Sequence, residues 1–164
     1  IFETIKSLDE FDNFLIDKNI KLVLKLHHLQ DIAAIRTDNY KNIIILKDYD
    51  LNVRDIQLYE ILRYTDALVT DYSSVAIDYL LLDKPIAFTL DDYDNYLKSR
   101  GFVMEDPLVI MPGKKIYNIN DFYDFIIEIH DETDDFKIDR ERVNKLVNIR
   151  SKNYSKGLLD YLNI

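Results

Sequence analysis

Cysteine and tryptophan are both missing from this chain of 164 residues. Without thiols there is no disulfide framework, no thiolate nucleophile and no cysteine zinc site, and a reducing compartment is compatible with that composition. Glycine and proline occur three times each, which leaves little material for linkers or collagen-like repeats. Long apolar runs are also missing: the longest, at 20–26 and 75–82, fall far short of the ~20 residues a membrane-spanning helix needs. Positive charge is in deficit, with 21 Lys and Arg against 30 Asp and Glu and a formal net charge of −9. Such a balance argues against nucleic acid as a partner. It leaves room for a small phosphate ligand held by a few local amides and cations. No Walker A run, no GxGxxG after a strand and no GxSxG elbow occurs, which removes the commonest phosphate-loop, dinucleotide and hydrolase readings.

What is present is a core. Hydrophobic residues make up 48% of the chain, and its length suits a single domain over 1–164. Twelve tyrosines suit core packing first and an amphipathic interface second. Ser7-Leu8-Asp9-Glu10 reads as a capping box before a helical pattern of Leu8, Phe11, Phe14 and Leu15. Residues 20–26 alternate with period two and predict a strand ending at His27. A short helix is expected after Asp31, a strand over 42–46, a helix over 55–64 and a short buried strand over 67–70. A well-buried helix over 73–82, a strand over 85–90, a turn at Pro112-Gly113 and helices over 121–130, 139–150 and 156–162 complete the reading. Strands alternating with helices at this spacing predict an α/β fold: a Rossmann-like parallel sheet with helices on both faces. Ligands of such sheets sit beyond the carboxyl ends of the strands, where both His27 and Asp71 fall.

The sharpest local signal is Thr70-Asp71-Tyr72-Ser73-Ser74, where a buried strand ends and two hydroxyl residues open a helix. Ser73 is the expected cap, with free N–H groups facing a phosphate. The plainer reading is an ordinary serine cap. His27 and His28 follow a strand, where a histidine can donate to a phosphate or act as a general acid. Lys25 adds a cation nearby, although alternation points it to the other face of the sheet. Two histidines without a spaced carboxylate or cysteine partner do not make a zinc site, and no metal is expected. Asp78 is expected to be buried, tying down the serine turn or meeting a cation. Asp91, Asp92 and Asp94 lack the glycine and the terminal glutamate of a calcium loop. Arg100 either reaches over a ligand phosphate or only ends a helix before Gly101.

Together these segments resemble the CDP-glycerol glycerophosphotransferase family of teichoic-acid polymerases. Lys25-Leu26-His27 is similar to the family's basic-x-His-Pro segment, with His28 in place of the proline. Residues 64–74 resemble its aspartate-tyrosine-serine-serine block, extended by Asp78-Tyr79 and Lys84-Pro85-Ile86. Asp92, Tyr96 and Arg100-Gly101-Phe102 match a later block, Pro112-Gly113 a proline-glycine turn, and Lys156-Gly157 a late glycine.

The resemblance implies the C-terminal, donor-binding half of a GT-B enzyme built from two Rossmann-like domains, with 151–164 as its last helix. The chain opens on Ile1, and an excised domain of a longer protein is expected. The implied donor is CDP-glycerol, attacked at its β-phosphorus by a hydroxyl of a growing polyol-phosphate acceptor with release of CMP. By that carry-over His27 is the catalytic residue and contacts the diphosphate. Lys25, Asp71, Tyr72, Ser73, Ser74 and Arg100 bind the donor nucleotide or diphosphate, Asp78 and Asp92 support them, and fold-level analogy alone puts Lys47 near the cytosine and ribose. No cofactor is implied, and the implied location is cytoplasmic, with peripheral association at the membrane face. A related transferase using another activated polyol or sugar, and a nucleotide-binding module without catalysis, are the alternatives.

Overall fold

The structure is a computed structural model and describes residues 7–25, 40–148 and 153–163. His27, His28 and the helix expected after Asp31 lie outside the described residues.

Ser7 caps the first helix, α1 (Leu8–Asp17), by accepting from the Glu10 N–H at 3.2 Å. Two parallel strands follow, β1 (Leu22–Leu24) and β2 (Ile43–Ile45), with Leu22 opposite Ile43 and Leu24 opposite Ile45. The helix expected over 55–64 is the shorter α3 (Leu58–Leu62), and a helix the sequence reading lacks, α2 (Asp48–Arg54), precedes it, ending at Asp55 in the left-handed region at φ 51°. A second parallel sheet has the order β3 (Leu68–Thr70), β4 (Ile86–Thr89), β5 (Lys114–Ile116). Between its strands come α4 (Val75–Tyr79), extended by a 3-10 turn over Leu80–Leu82, and α5 (Tyr93–Ser99). Three helices close the chain, α6 (Ile119–His130), α7 (Lys137–Val147) and α8 (Tyr154–Leu162). No described helix is long and apolar enough to cross a membrane.

β4 shows how the sheet is covered. Ala87 belongs to one apolar cluster with Phe11 and Leu15 of α1, Phe122, Phe125 and Ile126 of α6, Leu24 and Ile43. Its neighbours Ile86 and Phe88 belong to the other cluster, with Leu62 of α3, Ala76 and Tyr79 of α4, and Val143 of α7. Successive strand residues face opposite ways, so helices pack on both faces of this sheet, as the alternation of strands and helices predicts. The first cluster also contains β1 and β2, so both sheets share it.

Polar anchors fix the helices to this frame. Asp12 is buried and accepts from the N–H groups of Lys41 (3.1 Å) and Asn42 (2.8 Å), tying α1 to the start of β2. Asn144 of α7 and Asn148, which caps its end, donate to the carbonyls of Leu80 (3.1 Å) and Ile77 (2.9 Å), which answers carbonyls left open at the end of a helix.

Candidate functional site

The serine turn leaves the carboxyl end of β3, where a parallel sheet presents its ligands. The Asp71 carboxylate accepts from the Ser73 N–H at 3.1 Å, an Asx turn with Tyr72 at its centre. Helix α4 begins at Val75, so Ser74 rather than Ser73 holds the capping position. That corrects the expected cap, and Ser74 makes no side-chain bond to the helix. The Ser73 hydroxyl and the Val75 N–H are 3.5 Å apart, the outer limit of a hydrogen bond. Both serines are exposed, so neither hydroxyl is heavily committed to the fold. With only five residues in α4, its dipole contributes little. What the turn offers a phosphate is hydroxyl and amide donors.

Tyr72 turns away from the serines. Its hydroxyl donates to Asp92 at 2.8 Å, and its ring lies 4.2 Å from the Tyr96 ring and 5.3 Å from that of Phe102. Partial burial, the Asp92 bond and the Asp92, Asp91 and Asp71 charges all hold its proton well above the ordinary tyrosine range. Asp92 thus engages Tyr72, while at the start of α5 its side chain makes no capping bond. Arg100 is exposed at the end of α5, and the Gly101 N–H reaches the Tyr96 carbonyl at 3.0 Å with φ +68°.

The remaining predicted residues are placed differently from one another. Lys25 follows β1 and pairs with Asp48 at the start of α2, Nζ to Oδ1 2.9 Å. Lys47 follows β2 and is exposed, its N–H donating to Asp50 at 3.1 Å. Asp78 is exposed, not buried, and accepts from the Tyr59 hydroxyl at 2.9 Å. It therefore joins α4 to α3 instead of tying down the serine turn. The Tyr59 phenol is held up by that bond to Asp78. Sequence reasoning had no role for Asp48, Tyr59 and Tyr93. The spacing of Tyr93 and Tyr96, one helical turn apart, was the available signal for an aromatic face on α5. No group of His, Cys, Asp and Glu able to hold a metal occurs among the described residues.

The comparisons with known proteins converge on this architecture. The chain shares the fold of the wall teichoic acid polymerase TagF, with a TM-score of 0.69 and 23% identity over 96% of this chain and 37% of that one. A TagF variant soaked with CDPG matches with the same TM-score over 99% of this chain, at 22% identity. Among curated relatives, the teichoic acid glycerol-phosphate primase of Bacillus spizizenii is 34% identical over 144 residues. That alignment takes in 87% of this chain and 34% of the primase. The teichoic acid poly(glycerol phosphate) polymerase of Staphylococcus epidermidis is 36% identical over 105 residues, 63% of this chain and 14% of the polymerase. The chain thus spans about a third or less of the length of the curated relatives it matches. The model of one family, CDP-glycerol:poly(glycerophosphate) glycerophosphotransferase, matches residues 2–162, and with a match of that extent the chain belongs to this family.

Proposed function

We propose that this chain is the donor-binding unit of a glycerophosphotransferase that moves glycerol phosphate from CDP-glycerol to a growing teichoic-acid or related polymer, with release of CMP. The observation that carries the reading is the serine turn at the carboxyl end of β3, with two exposed hydroxyls that the fold uses weakly or not at all. Phosphoryl transfer depends on positioning and on stabilising charge, with little covalent chemistry for the protein to perform. In this reading Ser73 and Ser74 hold the phosphate of the CMP portion. His27, two residues beyond Lys25, donates to the diphosphate as charge develops on the leaving CMP. Lys25, Lys47 and Arg100 supply the positive charge that a site flanked by Asp71, Asp91 and Asp92 otherwise lacks. The acceptor polymer meets the donor through a second half of the enzyme, at the cytoplasmic face of the membrane.

Calorimetric titration of the chain with CDP-glycerol, CMP and UMP tests this. The cytidine ligands are expected to bind and UMP to bind at least tenfold more weakly. Ser73→Ala and Ser74→Ala should each lower CMP affinity about tenfold or more, since a hydrogen bond to a charged group contributes roughly 1.5–3 kcal/mol. Equal affinity for CMP and UMP sinks the donor assignment. Serine variants that bind CMP as the parent does make the turn purely structural.

A further inference from the structure

Tyr72 sits at the centre of the turn that carries both serines, yet its side chain is fully engaged elsewhere. The hydroxyl donates to Asp92 at the start of α5. One neighbour of its ring is Tyr96, with planes 36° apart, and another is Phe102, edge-on at 69°. Tyr93 stands 6.3 Å away and stacks on Phe102 at 24°. Phe102 reaches the cluster because the chain reverses at Gly101, whose φ of +68° costs a glycine little and any other residue more. On the other side of the residue, Asp71 closes the Asx turn onto the Ser73 N–H. The backbone of Tyr72 is thus bridged on one side, and its side chain is clasped by α5 and the segment after it.

Resting on the donor-binding reading above, we propose that Tyr72 is a positioning residue. Clasped by Asp92, Tyr96 and Phe102, it sets the Ser73-Ser74 turn for the donor phosphate without itself touching the donor. The chemistry around its hydroxyl agrees. The phenol is already committed to the Asp92 carboxylate at 2.8 Å, so its proton is not free for a phosphate. The serine hydroxyls, one residue on, are exposed and held weakly or not at all. α5 and its aromatic face then control how well the turn is formed, and through it how tightly the donor is held.

The test uses Tyr72→Phe, which keeps the ring in the cluster and deletes only the bond to Asp92. Two readouts are taken, amide hydrogen exchange at residues 73–75 without ligand and calorimetric affinity for CMP. Exchange is expected to speed up about fivefold and CMP affinity to fall about fivefold, the scale of one lost hydrogen bond, with an unchanged urea midpoint. Asp92→Asn keeps an acceptor oxygen and should restore both to near the parent values, whereas Asp92→Ala should match Tyr72→Phe. In a Ser73→Ala/Ser74→Ala background, Tyr72→Phe should cost no further affinity, because the residue acts through those hydroxyls. Unchanged exchange at 73–75 overturns the proposal, and so does a full fivefold loss persisting in the serine background, which means direct donor contact. A fall in the urea midpoint large enough to account for the exchange overturns it as well. Faster exchange in a chain whose parent binds no CMP leaves the clasp standing and removes the donor reading instead.

Discussion

A methyl group at Gly113 would sit 2.0 Å from the Ile86 carbonyl oxygen, 2.8 Å from its carbon and 3.3 Å from the Phe88 ring. The first two neighbours are backbone of β4, the strand shared by both apolar clusters, so neither can yield cheaply. Gly113→Ala should therefore lower stability by about 3 kcal/mol or more, at the upper end of overpacking, read as a fall in the urea midpoint. Asp78 shows the opposite case. Exposed and bonded only to the Tyr59 hydroxyl among the described residues, it should cost no more than about 1 kcal/mol on replacement by alanine. The acid limb of stability centres on another carboxylate. Arg140 is 1% exposed and donates to both oxygens of Asp134. The Arg140 hydrogen bonds hold the Asp134 carboxyl below its ordinary value of 3.8. In the range between that lower value and 3.8 the unfolded chain binds more protons than the folded one, so stability rises with pH there. The contribution is complete above the ordinary value and lost as pH falls through the folded one. Urea titrations from pH 5 to pH 2 should show this loss in the parent and a flatter profile in Asp134→Asn. A parent profile no steeper than that of the variant contradicts the assignment.

At the scale of elements, the buried Asp12 carboxylate gives α1 a polar link to the start of β2, beside the apolar cluster that Phe11 and Leu15 share with Ile43. Asp12→Ala leaves the Lys41 and Asn42 N–H groups without that acceptor, at a cost of about 2–3 kcal/mol. Asp12→Asn keeps one acceptor oxygen and should cost less, and equal urea midpoints for the two variants would contradict the role. Which elements could be read from the sequence follows from how much apolar surface each one buries. The alternation over 20–26 and the apolar run at Ile86–Thr89 were legible because β1 and β4 contribute several residues to the core. β5 was not: Lys114-Lys115-Ile116 buries one hydrophobic residue, and the strand owes its place to hydrogen bonds with β4. α2 escaped for the same reason, with Leu51 as its one buried residue and a lysine where a serine or aspartate cap would have marked its start. The serine turn was legible as a strand-to-helix junction, since β3 ends at Thr70, and only its cap was misplaced by one residue. Asp78 was misjudged because burial was inferred from its apolar neighbours, whereas the helix turns Ala76 and Tyr79 inward and Asp78 out. The partners of Tyr72 lie 20 to 30 positions away, Asp92 and Tyr96 at α5 and Phe102 after the reversal at Gly101, beyond the reach of any local pattern.

For the molecule as a whole, β4 decides how unfolding proceeds. Ala87 belongs to the cluster of α1 and α6 and Ile86 and Phe88 to that of α3, α4 and α7, so neither cluster can dissolve without baring one side of the same strand. Two regions that share a central strand unfold together, as most single domains of this size do. Phe11→Ala in one cluster and Val143→Ala in the other remove fully buried side chains. The expected cost is about 3–5 kcal/mol for the phenylalanine and less for the smaller valine. Both should shift one common urea transition. α8 stands apart from this unit. Every residue of 155–163 is exposed, and Gly157 in its interior has nothing within 4 Å of where a side chain would begin. With no apolar burial to offset the entropy of ordering, its amides open locally. Hydrogen exchange followed over urea concentration should therefore give two classes. The amides of β4 exchange only through global opening, with a strong dependence on urea, and those of α8 exchange orders of magnitude faster with almost none. Protection of α8 equal to that of β4 would show that its exposed Leu158, Leu159, Tyr161 and Leu162 are covered in solution. Two separate transitions for the Phe11 and Val143 variants would show that β4 fails to couple the clusters.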